Sequence, residues 1–208
     1  MIHRFAILLA LASAPALSQS SAARLVEAAK SQIGVTVRYD ASYQRLRYPG
    51  GDVPIDRGVC TDVVIRAYRQ LGIDLQELVH RDIATAWNEY PRNWQLTAPD
   101  SNIDHRRVPN LRVFFKRHGV TIPLSRDAGT YLPGDIVIWR LTPALPHIGI
   151  VSDRKSPTGI PLVIHNIGAG AQSEDILFRY TITGHFRWLP AGADPRSPRN
   201  RVQRPRAG

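Results

Sequence analysis

The sequence predicts an α+β fold, because helical and strand-like patterns occupy different parts of the chain. Up to residue 118, apolar residues recur at helical spacing in several segments. From residue 135 onward, short apolar runs alternate with turn residues such as Pro133-Gly134 and Ser156-Pro157-Thr158-Gly159. We therefore expect a C-terminal antiparallel sheet with the N-terminal helices packed on one of its faces.

Four helices are predicted, each closed by a residue that stops helices. They are an alanine-rich segment from 21 to 33 before Gly34, a segment beginning around Cys60 before Gly72, residues 75–90 before Pro91, and residues 111–118 before Gly119 with Asn110 as the N-cap.

Four strands are predicted in the second half, over residues 135–141, 147–152, 162–165 and 184–189. If the second and third form a hairpin, the start of one lies beside the end of the other. His147 begins the first strand of this pair and His165 closes the next, so the two histidines are expected to be neighbours across the ladder.

The two ends of the chain differ in composition from the domain between them. Residues 1–18 combine a basic start, an apolar run and small residues before Gln19, which predicts a signal peptide and a periplasmic or secreted protein. The formal charge is +10, and the Pro/Arg-rich segment 190–208 has a net charge of +4. We expect this segment to be a disordered tail with weak attraction to anionic envelope polymers, following a single folded domain at 19–189.

Other partner classes have little support in the sequence. No reading motif for nucleic acid occurs, and aromatic residues do not interleave with the basic tail. No second apolar run approaches the length of a membrane span, so the mature chain is expected to lack a transmembrane segment.

Cys60 is the only cysteine, so an exported form of the chain cannot make an internal disulfide. Such a cysteine is a reactive thiol, a link to a partner, or a buried inert residue. Its place in the first turn of a predicted helix favours the thiolate, because backbone N–H groups and the helix dipole stabilise negative charge there. We therefore predict a nucleophile with a lowered pKa.

A thiol nucleophile requires a base and a group that orients this base. His147, at the start of a strand, is the predicted base. His165, Asn166 and Asp153 are alternatives for the orienting group. Cys60 and the two histidines could also supply three zinc ligands, but no H-x-x-x-H or C-x-x-C spacing occurs, and no cofactor or metal is predicted.

Four ordered motifs resemble those of NlpC-type cysteine peptidases, papain-like enzymes of bacterial cell walls. They are Gly58-Val59-Cys60-Thr61-Asp62, Leu132-Pro133-Gly134-Asp135-Ile136-Val137, Pro146-His147-Ile148-Gly149-Ile150-Val151 and Val163-Ile164-His165-Asn166. Longer phrases, including YPGGDVP and NIDHRRVPNL, are similar to an exported bacterial family of unknown function within that superfamily.

The resemblance implies a papain-like fold, with Cys60 as nucleophile, His147 as base and His165 as third member. One departure concerns specificity. The superfamily usually has Asp-Cys-Ser at the nucleophile, whereas this chain has Val59-Cys60-Thr61. A preference for a free N-terminal L-alanine therefore does not carry over.

Several other polar residues are candidates for binding the oxyanion or the substrate. Tyr39 or the loop at Asp40 could help the Cys60 N–H to hold an oxyanion. Asp62 is expected to point away from the thiol and to stabilise the helix start. His105 and Arg106, in the cluster Asp104-His105-Arg106-Arg107, either grip a substrate carboxylate or form a structural ion pair.

Three functions are compatible with these features. The first is a cysteine hydrolase that cleaves amide bonds in peptidoglycan stem peptides. The second is an acyltransferase or lipid-acting enzyme on the same scaffold, which a broad apolar groove at Cys60 would favour over a narrow polar cleft. The third is a non-catalytic module that binds the cell wall.

Overall fold

The computed structural model of the chain describes residues 20–94 and 96–189. Four helices and a six-stranded antiparallel sheet form the described part, which confirms the α+β class. The predicted signal peptide (1–18) and basic tail (190–208) lie outside the described residues.

The four helices follow the apolar periodicity, with three corrected boundaries. Their bounds are α1 Ser21–Lys30, α2 Cys60–Gln70, α3 Leu75–Thr85 and α4 Val108–His118. The first helix was predicted to reach residue 33 but ends at Lys30, where Ser31 follows as the C-cap and donates its hydroxyl to the Ala28 carbonyl at 2.9 Å. The predicted third helix, 75–90, was too long: Ala86 leaves the helical region at φ −130°, and Trp87–Glu89 forms a separate 3₁₀ turn.

The fourth helix begins three residues earlier than predicted. Pro109 occupies its first turn, where the missing N–H has no helical partner to lose. Asn110 lies inside the helix, and its Nδ2 donates to the Asp104 carbonyl at 3.0 Å. The prediction of Asn110 as N-cap was therefore wrong.

The main sheet has the strand order β3-β8-β4-β5-β6-β7, and every neighbouring pair is antiparallel. Its strands are β3 Val120–Thr121, β4 Ile136–Thr142, β5 Leu145–Lys155, β6 Pro161–His165, β7 Gln172–Glu174 and β8 Thr181–Arg187. A separate parallel pair joins β1 Arg38–Tyr39 to β2 Arg57–Gly58, just before α2. The four strands that were not predicted have two or three residues each, too few to show a period-2 pattern.

Apolar side chains on the two faces of the sheet enter two separate cores. On one face, residues including Ile136, Ile148 and Ile164 pack with the helices. On the other, Val137, Trp139, Val151 and Val163 pack with Tyr131, Ile176 and Leu177. Because β4, β5 and β6 are covered on both faces, their sequences are runs of apolar residues and do not alternate with polar ones.

Helix α2 is the central helix of the larger core. Val63, Val64 and Ala67 are fully buried, and Tyr68 donates its hydroxyl to the Trp188 carbonyl at 2.8 Å.

In the part of the chain that the structure describes, no helix combines the length and apolar character needed to cross a bilayer.

Candidate active site

Cys60 is the first residue of α2, and Asp62 caps this helix. Asp62 Oδ2 accepts the backbone N–H of Val59 at 2.7 Å. A Cβ at position 58 would lie 2.9 Å from the same oxygen, so Gly58 leaves the space for the cap. The carboxylate at the helix start also interacts favourably with the dipole. The expectation that Asp62 stabilises the helix start is confirmed.

Arg106 forms a buried ion pair with Asp62. Its Nε lies 2.9 Å from Oδ1 and its Nη2 3.0 Å from Oδ2, a bidentate arrangement. Arg106 also donates to the carbonyls of Ser42 and Asp40 at 3.1 and 3.2 Å. Of the two alternatives for this arginine, the structure thus has the structural ion pair. The guanidinium nitrogens are occupied by these contacts, so Arg106 is not available to bind a substrate carboxylate.

Arg66 fixes the loop that leads into the Cys60 helix. Its guanidinium pairs with Asp52 at 2.9 and 3.1 Å and donates to the carbonyls of Val53, Pro54 and Arg57 at 3.0 to 3.2 Å. The side chain is almost completely buried. The loop 52–57 is therefore tied to α2 from inside the fold, which limits the positions available to the residues just before Cys60.

His147 and His165 contact each other, as the hairpin predicts. His147 Nε2 lies 3.0 Å from His165 Nδ1, and the rings meet edge to face. Gly149 allows β5 and β6 to approach here, because a Cβ at this position would lie 2.6 Å from Val163 and 3.1 Å from the Cβ of His165. The prediction that these strands bring the two histidines together is confirmed.

Cys60 lies against the start of β5, where the residue that approaches its sulfur directly follows His147 in the chain. The backbone amide of Ile148 faces the sulfur, as do the amides of Thr61 and of Cys60 itself, and all three favour the thiolate. Burial nevertheless raises the pKa of the Cys60 thiol to about 12, and the charge of Asp62 acts in the same direction. The side chain is only 5% exposed. The prediction of a lowered pKa was therefore wrong for this state, because desolvation outweighs the helix start.

Both histidines are neutral in this environment. Burial lowers the pKa of His147 to about 3, with a smaller contribution from His165, and burial also lowers the pKa of His165. Among the described residues, no hydrogen bond joins the Cys60 sulfur to an imidazole. In the resting state the Cys60 thiol and both imidazoles are thus neutral.

The other two candidates for the orienting role have different partners. Asn166 donates from Nδ2 to the Gly58 carbonyl at 2.9 Å and accepts the Gly168 N–H at 3.1 Å. Asp153 pairs with Lys30 at 2.6 Å. Of the three candidates, His165 is the one in contact with His147, while Asn166 holds the end of β6 to the residue two before Cys60.

Three further candidates are placed differently from one another. Tyr39 lines the same surface hollow as Cys60, and burial, together with the charge that a Cys60 thiolate would carry, raises the pKa of its hydroxyl. The Asp40 carboxylate accepts the Ser42 N–H at 2.9 Å in a local turn. His105 is buried, and burial together with the charge of Arg106 lowers its pKa to about 3. It does not line the hollow at Cys60.

Cys60 lines a surface hollow of about 330 Å³. Most of its walls are apolar, including Val59, Val108 and Leu145. Arg107 also lines it, with its guanidinium 4.0 Å from the Trp94 ring centroid. A second hollow of about 470 Å³ adjoins the first, since Trp94, Pro109 and Pro146 line both.

The described side chains around Cys60 are not arranged as the ligands of a metal ion. Within the residues described, no three His, Cys, Asp or Glu side chains are grouped so as to hold a metal ion. The geometry that is present is instead a thiol, a strand-edge imidazole pair and an adjoining groove.

Comparison with protein families gives a match over residues 26–188 to a domain of unknown function, DUF1287. The chain belongs to this family. It is also 57% identical over 165 residues to the uncharacterized protein YijF of Escherichia coli K12, a match that covers 79% of this chain and 80% of the other.

Two solved structures have a similar arrangement at low sequence identity. They are NlpC1 and NlpC2 from Trichomonas vaginalis, with TM-scores of 0.44 and 0.45 and identities of 17% and 16%. The matches cover 80% and 84% of this DUF1287 chain. The chain spans 44% and 48% of the two structures, less than half of either.

Two groups at the site of this DUF1287 chain were not predicted from the sequence. The Ile148 amide that faces the sulfur is a backbone group and has no sequence signal. Glu174 Oε2 lies 3.0 Å from Nε2 of His165. It lies on β7, whose three residues give no periodic pattern, so only the sheet register identifies it.

Proposed function

We propose that this chain is an exported cysteine hydrolase that cleaves amide bonds, with peptidoglycan stem peptides as its substrate. The observation that carries the proposal is the placement of the Cys60 sulfur against the Ile148 amide, one residue after His147, whose ring contacts His165. The choice of peptidoglycan depends on the sequence resemblance to NlpC-type cell-wall peptidases.

Each chemical step has a group to perform it. His147 accepts the thiol proton as the sulfur of Cys60 attacks the carbonyl carbon of the amide bond. The tetrahedral intermediate collapses, the C–N bond breaks, and the imidazolium returns the proton to the leaving amine. Water then attacks the thioester, with His147 again as base, and releases a carboxylic acid and the free thiol.

The neutral resting state determines when the proton moves. The thiol has a pKa of about 12 and the His147 imidazole a pKa of about 3, so a thiolate–imidazolium pair is not stable before substrate binds. We expect proton transfer to accompany attack on the carbonyl, when the negative charge passes to the oxyanion.

Two donors are available for that oxyanion. The backbone N–H of Cys60 is in the first turn of α2, where amides have no helical partner. Tyr39 lines the same hollow, and the raised pKa of its hydroxyl keeps it protonated as a donor. Fixed donors directed at developing charge are commonly the largest contribution to acyl-transfer catalysis.

The groove supports an extended substrate with an acidic group. Two adjoining hollows, both lined in part by Pro146, offer room for it. Arg107 is the member of the cluster Asp104-His105-Arg106-Arg107 that remains a candidate to bind a stem-peptide carboxylate, because Arg106 is bound to Asp62.

The direct test uses the mature protein from residue 19 and purified sacculi, followed by separation of the muropeptides. We expect new fragments that carry a free carboxylate and a free amine. Cys60→Ala and His147→Asn should abolish them, while His118→Asn, a change on the exposed end of α4, should not. Unchanged muropeptides across several wall chemistries would contradict the substrate, and cleavage by Cys60→Ala would contradict the mechanism.

A second function, acyl transfer to or from a lipid or protein, is supported by one observation. The walls of the hollow at Cys60 are mainly apolar, which suits a hydrophobic acyl group. The two functions differ in the acyl group trapped on Cys60. Intact-protein mass spectrometry after incubation with p-nitrophenyl octanoate, and separately with a stem pentapeptide, distinguishes them: a stable octanoyl adduct without peptide cleavage would favour acyl transfer.

A further inference from the structure

Glu174 lies at the end of a chain of polar groups that begins at His147. In the β6–β7 register Glu174 is opposite Val163, so it shares a sheet face with His165, which lies two residues further along β6. Its Oε2 is 3.0 Å from His165 Nε2, and the other ring nitrogen of His165 is 3.0 Å from His147 Nε2. His165 is fully buried, whereas Glu174 is 43% exposed.

The contact between Glu174 and His165 is a close approach without a linear hydrogen bond. Among the described residues, Nε2 of His165 has no aligned hydrogen-bond partner. A buried ring nitrogen without a partner is unfavourable. The Glu174 carboxylate lies within reach of it, and a rotation of this partly exposed side chain would bring the two groups into line.

A carboxylate at this position determines which nitrogen of each ring carries the proton. A neutral imidazole has one N–H and one lone pair, and an ionised carboxylate only accepts. With Glu174 ionised, the proton of His165 resides on Nε2, so its Nδ1 accepts. His147 must then donate from Nε2, which leaves the lone pair on its Nδ1, the nitrogen that can accept a proton from Cys60.

Without the carboxylate, the opposite arrangement becomes available. His165 could carry its proton on Nδ1 and donate it to Nε2 of His147. His147 would then be protonated on Nδ1, where it has no lone pair for the thiol proton. Both arrangements satisfy the contact between the two rings, so that contact alone does not choose between them.

We propose that Glu174 is a positioning residue that fixes the tautomers of His165 and His147, so that Nδ1 of His147 is the base for Cys60. This proposal rests on the proposed cysteine hydrolase function for its effect on catalysis. The effect on the tautomers follows from the geometry of the three side chains and does not depend on the substrate.

The first test is spectroscopic and requires no activity. Long-range ¹H–¹⁵N correlation spectra at pH 7.5 report which ring nitrogen is protonated. We expect Nε2–H for both histidines in the wild-type protein and a shift of His165 toward Nδ1–H in Glu174→Gln, whose amide can donate a hydrogen bond. Asp175→Asn removes the same charge from the neighbouring exposed residue and should leave both tautomers unchanged.

The second test is kinetic and uses whichever substrate the muropeptide assay or the acyl-trapping assay identifies. Glu174→Gln should lower kcat by about 10- to 100-fold with KM nearly unchanged, since wrong-tautomer and orienting-group variants act on the proton transfer step. Glu174→Asp should recover part of the loss, and Asp175→Asn should behave as wild type.

The two tests separate the positioning role from the hydrolase function. Unchanged tautomers in Glu174→Gln, or Nδ1–H on His165 in the wild type, would overturn the positioning role even if the protein is an active hydrolase. The expected tautomer shift in a protein that cleaves nothing would support the positioning role and contradict the proposed function.

Discussion

At the scale of single residues, the environment of Cys60 has opposing effects on the thiolate. Raising the thiol pKa from 9.0 to about 12 corresponds to about 4 kcal/mol against the charged form. A helix terminus contributes only about 0.3–1 kcal/mol at an exposed position. Burial therefore decides the resting protonation state, and the helix start and Ile148 amide act when charge develops during the reaction.

This balance predicts slow alkylation of Cys60 near neutral pH. In the folded protein the iodoacetamide labelling rate should rise about tenfold per pH unit from pH 6 to 10 without a plateau, because only the thiolate reacts. The protein in 8 M urea serves as the control, with a rate that levels off near 9.0, the ordinary pKa of an exposed cysteine thiol. A plateau below pH 8 in the folded protein would show that the thiolate is stable at rest.

Two neighbouring arginines at the site, Arg106 and Arg107, differ in whether they are available to bind a substrate. Arg106 is bound bidentately and is unavailable, whereas Arg107 faces the hollow while stacking on Trp94. Both side chains line the hollow at Cys60, so the difference between these neighbours comes from the ion pair of Arg106 with Asp62.

At the scale of secondary structure elements, the start of α2 depends on one buried ion pair. Asp62 caps the helix and binds Arg106, which in turn holds the loop carbonyls of Asp40 and Ser42. This single pair therefore connects three parts of the chain around Cys60. Removing one partner leaves the other charge buried and unpaired, which costs more than losing both.

A double-mutant cycle tests this connection. We expect Asp62→Ala and Arg106→Met each to lower the free energy of unfolding by about 3–5 kcal/mol, and the double variant to lose clearly less than the sum. Urea denaturation followed by circular dichroism measures the three values. Additive losses would mean that the two side chains do not interact across the buried interface.

The contact between the two histidines also requires that β5 and β6 pack closely. At position 149 there is no room for a side chain, because a Cβ there would lie 2.6 Å from Val163 and 3.0 Å from the backbone oxygen of Ile164. Any larger residue there would push β6 away and move His165 from His147. The sheet thereby fixes the histidine pair through its backbone spacing.

At the scale of the whole molecule, burial of neutral histidines links folding to pH. The pKa values of His105 and His147 are lowered to about 3, and that of His165 is also lowered, each mainly by burial. In the unfolded chain these groups titrate near 6.5. Below this pH the unfolded state binds protons that the folded state does not, so stability falls as the pH decreases from 6.5 toward 3.

Unfolding experiments at several pH values should show this effect. The free energy of unfolding should decrease between pH 6 and 5 by up to about 1.4 kcal/mol per buried histidine. His147→Gln is the matched variant. In this variant the unfolded state should gain about one proton fewer, relative to the folded state, than in the wild type, so its free energy of unfolding should depend less on pH. A free energy that is constant from pH 7 to 5 would show that these histidines bind protons in the folded protein as readily as in the unfolded chain.

Much of the fold was predictable because its signals are local. The apolar spacing of α2 and the runs of β4, β5 and β6 gave their types, and the hairpin gave the contact between His147 and His165. The ends of α1 and α3 and the start of α4 were not predicted, since the apolar spacing continues past the first two ends and the helix-start signal at Asn110 is used instead for a bond to the Asp104 carbonyl.

By itself, the sequence determined the fold class, the helix that begins at Cys60 and the pairing of the two histidine-bearing strands, because periodicity and turn residues act over a few neighbours. Only the tertiary structure decided the protonation state of the thiol, the commitment of Arg106 and the approach of Glu174 to His165. These depend on burial and on contacts between distant segments, and a pattern of neighbouring residues does not specify how deeply a group is removed from water.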